Sequence, residues 1–288
     1  MTKTTHWWRY CLLVLGLTII GVSVLIYFYH PKNQVKELTT IPANTVPTFY
    51  LHGYGGTYNS TKNMVAAAQK QSGVKRVLIA RVNKNGEVKF EGDWPAGVKR
   101  PVIQVIYEDN RNSDFHYNAA GFHQVITSLQ ERYHFKKFNV VAHSMGNLTL
   151  MYYLADYGQQ QQLPQLDKYV AIAGHFDGIR AMDDPANSNQ LAADGRPELI
   201  KSYYQYLLDH RQNFDMSTVD VLNIYGDLED GSHSDGSVTN VSSQSLKYLL
   251  GNQVHSYREL LIKGKQAQHS QLHENSTVDR AVIKFLWD

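Results

Sequence analysis

One stretch constrains the rest of the chain: Phe138–Gly146, FNVVAHSMG, which runs on into NLTLMYYLADY. The β-branched pair Val140–Val141 ends at Ala142, and Ser144 follows between His143 and Met145. Leu148, Met151, Tyr152 and Ala155 then recur at helical spacing. A strand, a sharp turn bearing serine and a helix make up the context in which a Gly-x-Ser-x-Gly pattern acts as a nucleophile elbow. The residues two positions either side of the serine must be small, because their side chains would meet across the turn. Gly146 satisfies this, and Ala142 stands in for the usual first glycine at the cost of one methyl.

A serine hydroxyl is a poor nucleophile without a base, and the base needs an orienting acid. In a strand-and-helix fold of this kind the chain order is serine, acid, histidine. LNIYGDLEDGSHSDGSV supplies four acids, Asp227, Glu229, Asp230 and Asp235. Asp227 is nearest the strand end. Asp235 is preferred, because Val238 follows three residues on, just before a helix, and can pack under the loop to direct the carboxylate. The spacing of these acids does not fit an EF-hand calcium loop. For the base, KGKQAQHSQLHENSTV offers His269 and His273. His269 comes sooner after the last strand and has Leu272 to anchor its loop. His273 lies nearer a helix N-terminus, where the dipole disfavours imidazolium. The sequence holds 13 histidines, and only position in the fold singles out these two. Backbone donors for an oxyanion are expected at Met145, after the nucleophile, and at Tyr54 in the glycine-rich HGYGG loop His52–Gly56.

The surrounding pattern alternates strands and helices and predicts an α/β fold, with a mostly parallel central sheet covered on both faces. Expected strands are Thr48–Leu51, VKRVLIARV, EVKFEG, Pro101–Tyr107, Lys168–Ala173, Val219–Tyr225 and Tyr257–Ile262. Asn85–Gly86 between two of them signals an inserted hairpin. Helices are expected over Thr61–Gln71, His116–Tyr133, Glu198–Leu208, Gln244–Leu250 and Thr277–Trp287. The interval 175–216 exceeds a simple crossover and is a candidate cap.

The chain has 288 residues and a net charge of +2, so nothing in the balance calls for nucleic acid. Cys11 is the only cysteine, which leaves no disulfide within the chain. From Cys11 to Tyr29 there is no charged residue, enough length to span a bilayer as a helix. Trp7, Trp8 and Tyr10 flank one end and Tyr27, Phe28 and Tyr29 the other, as interfacial aromatics do. The expected organisation is therefore an N-terminal anchor over 1–30, a polar stalk over 31–46 and a globular domain over 47–288. A cleaved signal, giving a secreted protein, is the alternative. A short head and a large C-terminal domain suit an extracellular orientation.

Together, HGYGG, AHSMGN, DGSV and HSQL resemble the HG-x-G loop, elbow, acid loop and base loop of the α/β-hydrolase superfamily, and of lipase-like esterases within it. The hairpin, SDG-x-V and HSQLHEN are similar to those of uncharacterised cell-surface hydrolases of Gram-positive bacteria. The resemblance covers about Pro47 to Asp288 and implies a serine hydrolase acting on small-molecule or lipid esters, with Ser144, Asp235 and His269 as catalytic residues and no cofactor. An acyltransferase or thioesterase with the same triad, or a non-catalytic surface-binding protein on this scaffold, are the other readings. Acyl length and alcohol are not legible, since one fold hosts many chemistries.

Overall fold

A computed structural model describes residues 41–288 apart from Ala43. The apolar run Cys11–Tyr29 and most of the stalk lie outside the described residues. Among the described residues, no helix is long and apolar enough to cross a membrane.

Eight strands of the described residues form one sheet in the order β3-β2-β4-β1-β5-β6-β7-β8. They are β1 (Thr48–Leu51), β2 (Val74–Val82), β3 (Val88–Gly92), β4 (Arg100–Tyr107), β5 (Lys137–His143), β6 (Gln165–Ile172), β7 (Asp220–Asp227) and β8 (Ser256–Lys263). All neighbours run parallel except β2 and β3, which pair antiparallel. Between those two, the Asn83 side chain accepts the Asn85 and Glu87 N–H groups, and Gly86 takes the positive φ the turn requires. The sequence signal Asn-Gly therefore does form the hairpin.

Among the described residues six helices cover the sheet: α1 (Tyr58–Ala68), α2 (Phe115–Tyr133), α3 (Met145–Tyr157), α4 (Ser202–His210), α5 (Asn240–Leu250) and α6 (Ser276–Trp287). Strand alternation divides the core between two faces. Phe49 and Leu51 of β1 pack with α2 and α3 residues such as Phe122 and Met151. Tyr50, between them, packs with Met64 of α1 and Val278 of α6.

Some boundaries differ from the sequence reading. α1 begins at Tyr58 because Thr57 and Ser60 form a capping box ahead of the apolar residues. α4 begins only at Ser202, because residues 198–201 are held by loop contacts: Glu198 N–H bonds Gln190 O and Lys201 N–H bonds the Asp177 carboxylate. Tyr204 and Leu207 of α4 are buried in the main core. Ile41 also belongs to that core, so packing reaches back beyond Pro47.

The chain leaves β4, passes β1 and resumes at β5, so the direction of winding reverses between β1 and β5. Crevices form beyond the strand ends at such a switch point. The HGYGG loop leaves β1 there, and Ser144 leaves β5.

Candidate active site

Ser144 joins β5 directly to α3, with φ 52° and ψ −122°. That conformation is strained for any residue with a Cβ. It persists because both sides of the turn are pinned: Ser144 N–H donates to Ile172 O at 2.9 Å, and the Asn147 side chain donates to Ser144 O at 2.9 Å. The small-residue requirement is visible. A Cβ at Gly146 would lie 2.8 Å from Leu51 O, and one at Gly53 would lie 2.8 Å from Ser144 Cβ.

His269 reaches Ser144 from the loop after β8. Its Nε2 stands 2.9 Å from Ser144 Oγ, and its Nδ1 2.7 Å from Asp235 Oδ2. A carboxylate only accepts, so Nδ1 carries the proton and Nε2 accepts from the serine hydroxyl. Asp235 is itself held by N–H donors from Ser237 at 2.9 Å and Val238 at 2.7 Å, both to Oδ1. That leaves Oδ2 for the histidine. The two loops are also tied by backbone, His269 N–H donating to Asp235 O at 2.9 Å. Val238 and Leu272 are buried beneath their loops.

The competing acid and histidine are engaged elsewhere. Asp227 accepts from Glu229 N–H at 2.8 Å and from the Asn240 amide at 3.1 Å, and its nearest imidazole is His233 at 3.4 Å. It organises the turn after β7. His273 Nδ1 lies 2.9 Å from Glu274 Oε1, while the ring lines the cleft that holds Ser144.

Two residues that the motifs left without a role shape this site. His52 Nδ1 donates to Gly53 O at 2.8 Å, and Nε2 accepts the Tyr107 N–H at 3.1 Å. Burial lowers its pKa and keeps the ring neutral, as those two bonds require. In a trans peptide C=O and N–H point oppositely. Holding Gly53 C=O therefore directs the Tyr54 N–H of the same peptide. Met145 N–H belongs to the first turn of α3, where amides have no intrahelical acceptor. His143 is buried, and its Nε2 donates to His269 O at 3.0 Å, bracing the loop that carries His269. Burial, with His269 and His273 close by, holds its pKa well below the ordinary histidine range, so it stays neutral. A sequence signal existed for both, since each sits in a motif, but the target of His143 is a carbonyl 126 residues away, and that of His52, though adjacent, depends on how the loop backbone turns.

The cleft over Ser144 is about 210 Å³ and open to solvent. No cluster of metal-ligating side chains occurs among the described residues.

Residues 36–288 match the family described as alpha/beta hydrolase of unknown function, DUF915. The chain belongs to this family of α/β hydrolases. No curated protein matches it. Among solved structures, the product of gene lin2722 from Listeria innocua is 26% identical, with a TM-score of 0.77 over 85% of this chain and 95% of that one. A candidate cell surface hydrolase from Lactobacillus plantarum is 21% identical, with a TM-score of 0.68 over 84% of this chain and 90% of that one. The α/β-hydrolase fold expected from the motifs is thus the fold of this family.

Proposed function

We propose that this α/β hydrolase cleaves carboxylic esters through an acyl-enzyme on Ser144. The observation that carries the reading is the hydrogen-bonded line Ser144–His269–Asp235, whose donors and acceptors already stand in the order the chemistry needs. Ser144 Oγ attacks the ester carbonyl while His269 Nε2 takes its proton. Asp235 stabilises the imidazolium and keeps the ring oriented. The developing oxyanion is received by the N–H groups of Tyr54 and Met145. Collapse of the tetrahedral intermediate breaks the C–O bond, and Nε2–H returns the proton to the departing alcohol. Water then repeats the sequence on the acyl-serine and frees the acid. No cofactor takes part in these steps.

A fluorophosphonate probe on the full chain tests this. Labelling of Ser144, lost together with p-nitrophenyl acetate hydrolysis in Ser144→Ala, is the expected result. A folded wild type that resists the probe would overturn it in favour of a non-catalytic binding protein.

The run Cys11–Tyr29 adds a second element to the proposal, an N-terminal anchor that holds the domain outside the cell membrane. The full chain should then fractionate with membranes. Mature protein lacking that run, recovered from the medium, would point to a cleaved signal instead.

A further inference from the structure

A second imidazole lines the cleft of the nucleophile. His273 donates from Nδ1 to Glu274 Oε1 at 2.9 Å, and the Glu274 carboxylate also takes a hydrogen bond from the Asn63 side chain of α1. The His273 ring stands edge-on to His143, with centroids 4.7 Å apart. Glu274 and His143 therefore set the direction of the ring. Among the described residues Nε2 has no hydrogen-bond partner, and in the neutral ring it carries a free lone pair. This arrangement repeats the His269–Asp235 pairing without a serine at its end.

The rest of the cleft is small and polar. Its volume is about 210 Å³, and Tyr54 is its one large side chain with an apolar face. Ser60, Ser270, glycine backbone and the histidines make up the other walls. Ligand pockets for long apolar groups are lined by aliphatic and aromatic side chains, and each buried methylene is worth about 0.8 kcal/mol there. This cleft has no such lining for an acyl tail. It does offer an imidazole acceptor, two hydroxyls and the ring of Tyr54, which is 59% exposed. That set suits an alcohol carrying several hydroxyls, whose polar edges need partners and whose C–H faces can lie on an aromatic ring.

We propose that the site takes short-acyl esters of polyhydroxylated alcohols, with His273 Nε2 accepting a hydrogen bond from a hydroxyl on the alcohol side. This rests on the ester-hydrolase reading above. Glu274 is a positioning residue that acts through His273.

The test compares four esters on the full chain: p-nitrophenyl acetate, p-nitrophenyl octanoate, glycerol monoacetate and a monoacetylated methyl glucoside. The last two separate a glycerol-type from a sugar-type alcohol. Wild type should prefer acetate to octanoate by tenfold or more in kcat/KM and should hydrolyse at least one polyol acetate. His273→Phe keeps the bulk and removes the acceptor. It should lose about tenfold more kcat/KM on the polyol acetate than on p-nitrophenyl acetate, the worth of one hydrogen bond. His273→Gln, which retains an acceptor, should recover most of that difference. Glu274→Gln should shift the same ratio in the same direction, which keeps the question decidable if His273→Phe fails to fold. Equal losses on both acetates, a preference for octanoate, or no turnover of either polyol ester by a wild type that the fluorophosphonate labels would overturn this inference alone. Absence of labelling would overturn the hydrolase reading beneath it.

Discussion

At the residue scale, the roles of Asp235 and Asp227 separate by what their oxygens already hold. Asp235 spends one oxygen on the Ser237 and Val238 amides and presents the other to His269. In Asp235→Asn the carbonyl oxygen would keep the two backbone donors, and the amide would face Nδ1 as a donor. The ring would then be driven to the wrong tautomer, with Nε2 protonated and unable to take the serine proton. A fall in kcat of about 10⁴ is expected, with unchanged circular dichroism. Asp227→Asn should retain most activity, because Asp227 serves only the turn after β7. If Asp227→Asn were instead the inactive variant, the acid assignment would be wrong. His52 provides a subtler case. His52→Ala releases Gly53 C=O and with it the direction of the Tyr54 N–H. A loss in kcat of roughly 10- to 100-fold is expected, as for other partners that orient a functional group. Steady-state kinetics on p-nitrophenyl acetate would show it, and an unaltered kcat would remove Tyr54 from the oxyanion site.

At the scale of elements, the β5–α3 turn stores strain that its neighbours hold in place. Ser144 at φ 52° and ψ −122° costs of order 1–3 kcal/mol, whereas glycine adopts that backbone freely. Glycine also gives the unfolded chain more freedom, which offsets up to about 1 kcal/mol of the gain. Ser144→Gly should therefore melt higher than Ser144→Ala by about 2–4 °C in thermal denaturation. A lower Tm for the glycine variant would show that the turn is not under strain. The same turn explains why β1 and β5 must be neighbours. Gly146 and Gly53 bring the two loop backbones so close that any Cβ would collide. Ser144 and Met145 after β5 thus stand beside Tyr54 after β1, because those two strands are far apart in sequence but adjacent in the sheet.

At the scale of the whole molecule, two features tie remote parts of the chain to its stability. Ile41 is packed into the main core. A chain beginning at residue 47 loses that side chain and should be less stable than one beginning at residue 36, by about 1.5–3 kcal/mol. Urea denaturation of the two chains would measure the difference, and equal midpoints would place Ile41 outside the cooperative unit. Asp177 tethers the long segment after β6, accepting the Lys201 N–H at 2.8 Å and the Asn189 amide at 3.3 Å. Burial raises its pKa to about 7, with nearby Asp184 adding to the rise against Lys201. A folded-state pKa above the unfolded one means that the fold favours the neutral acid. The stability this contributes is complete below about pH 4 and is lost as pH rises through about 7. Asp177→Asn binds no such proton. Its Tm relative to wild type should climb between about pH 4 and pH 7 and level off above that, and a constant difference would show that Asp177 ionises normally.

Much of the fold was local enough to be read from the sequence. Period-two and period-3.6 patterns, the Asn85–Gly86 turn and the small residues around Ser144 act over a few residues, so each element declares itself. The order serine, acid, histidine follows from winding a single sheet. The pattern could not say which of two acids and two histidines meet, because that depends on which oxygens and nitrogens the folded loops have already engaged. Tertiary contacts decided it: the Val238 amide turns Asp235 toward His269, while Glu274 engages the Nδ1 of His273. The bracing by His52 and His143 was hidden for the same reason. Their partners are carbonyls of Gly53 and His269, and a sequence does not show where a carbonyl points. Spacing along the chain determined which groups could reach the end of β5, and packing in three dimensions determined which of them were still free to bond there.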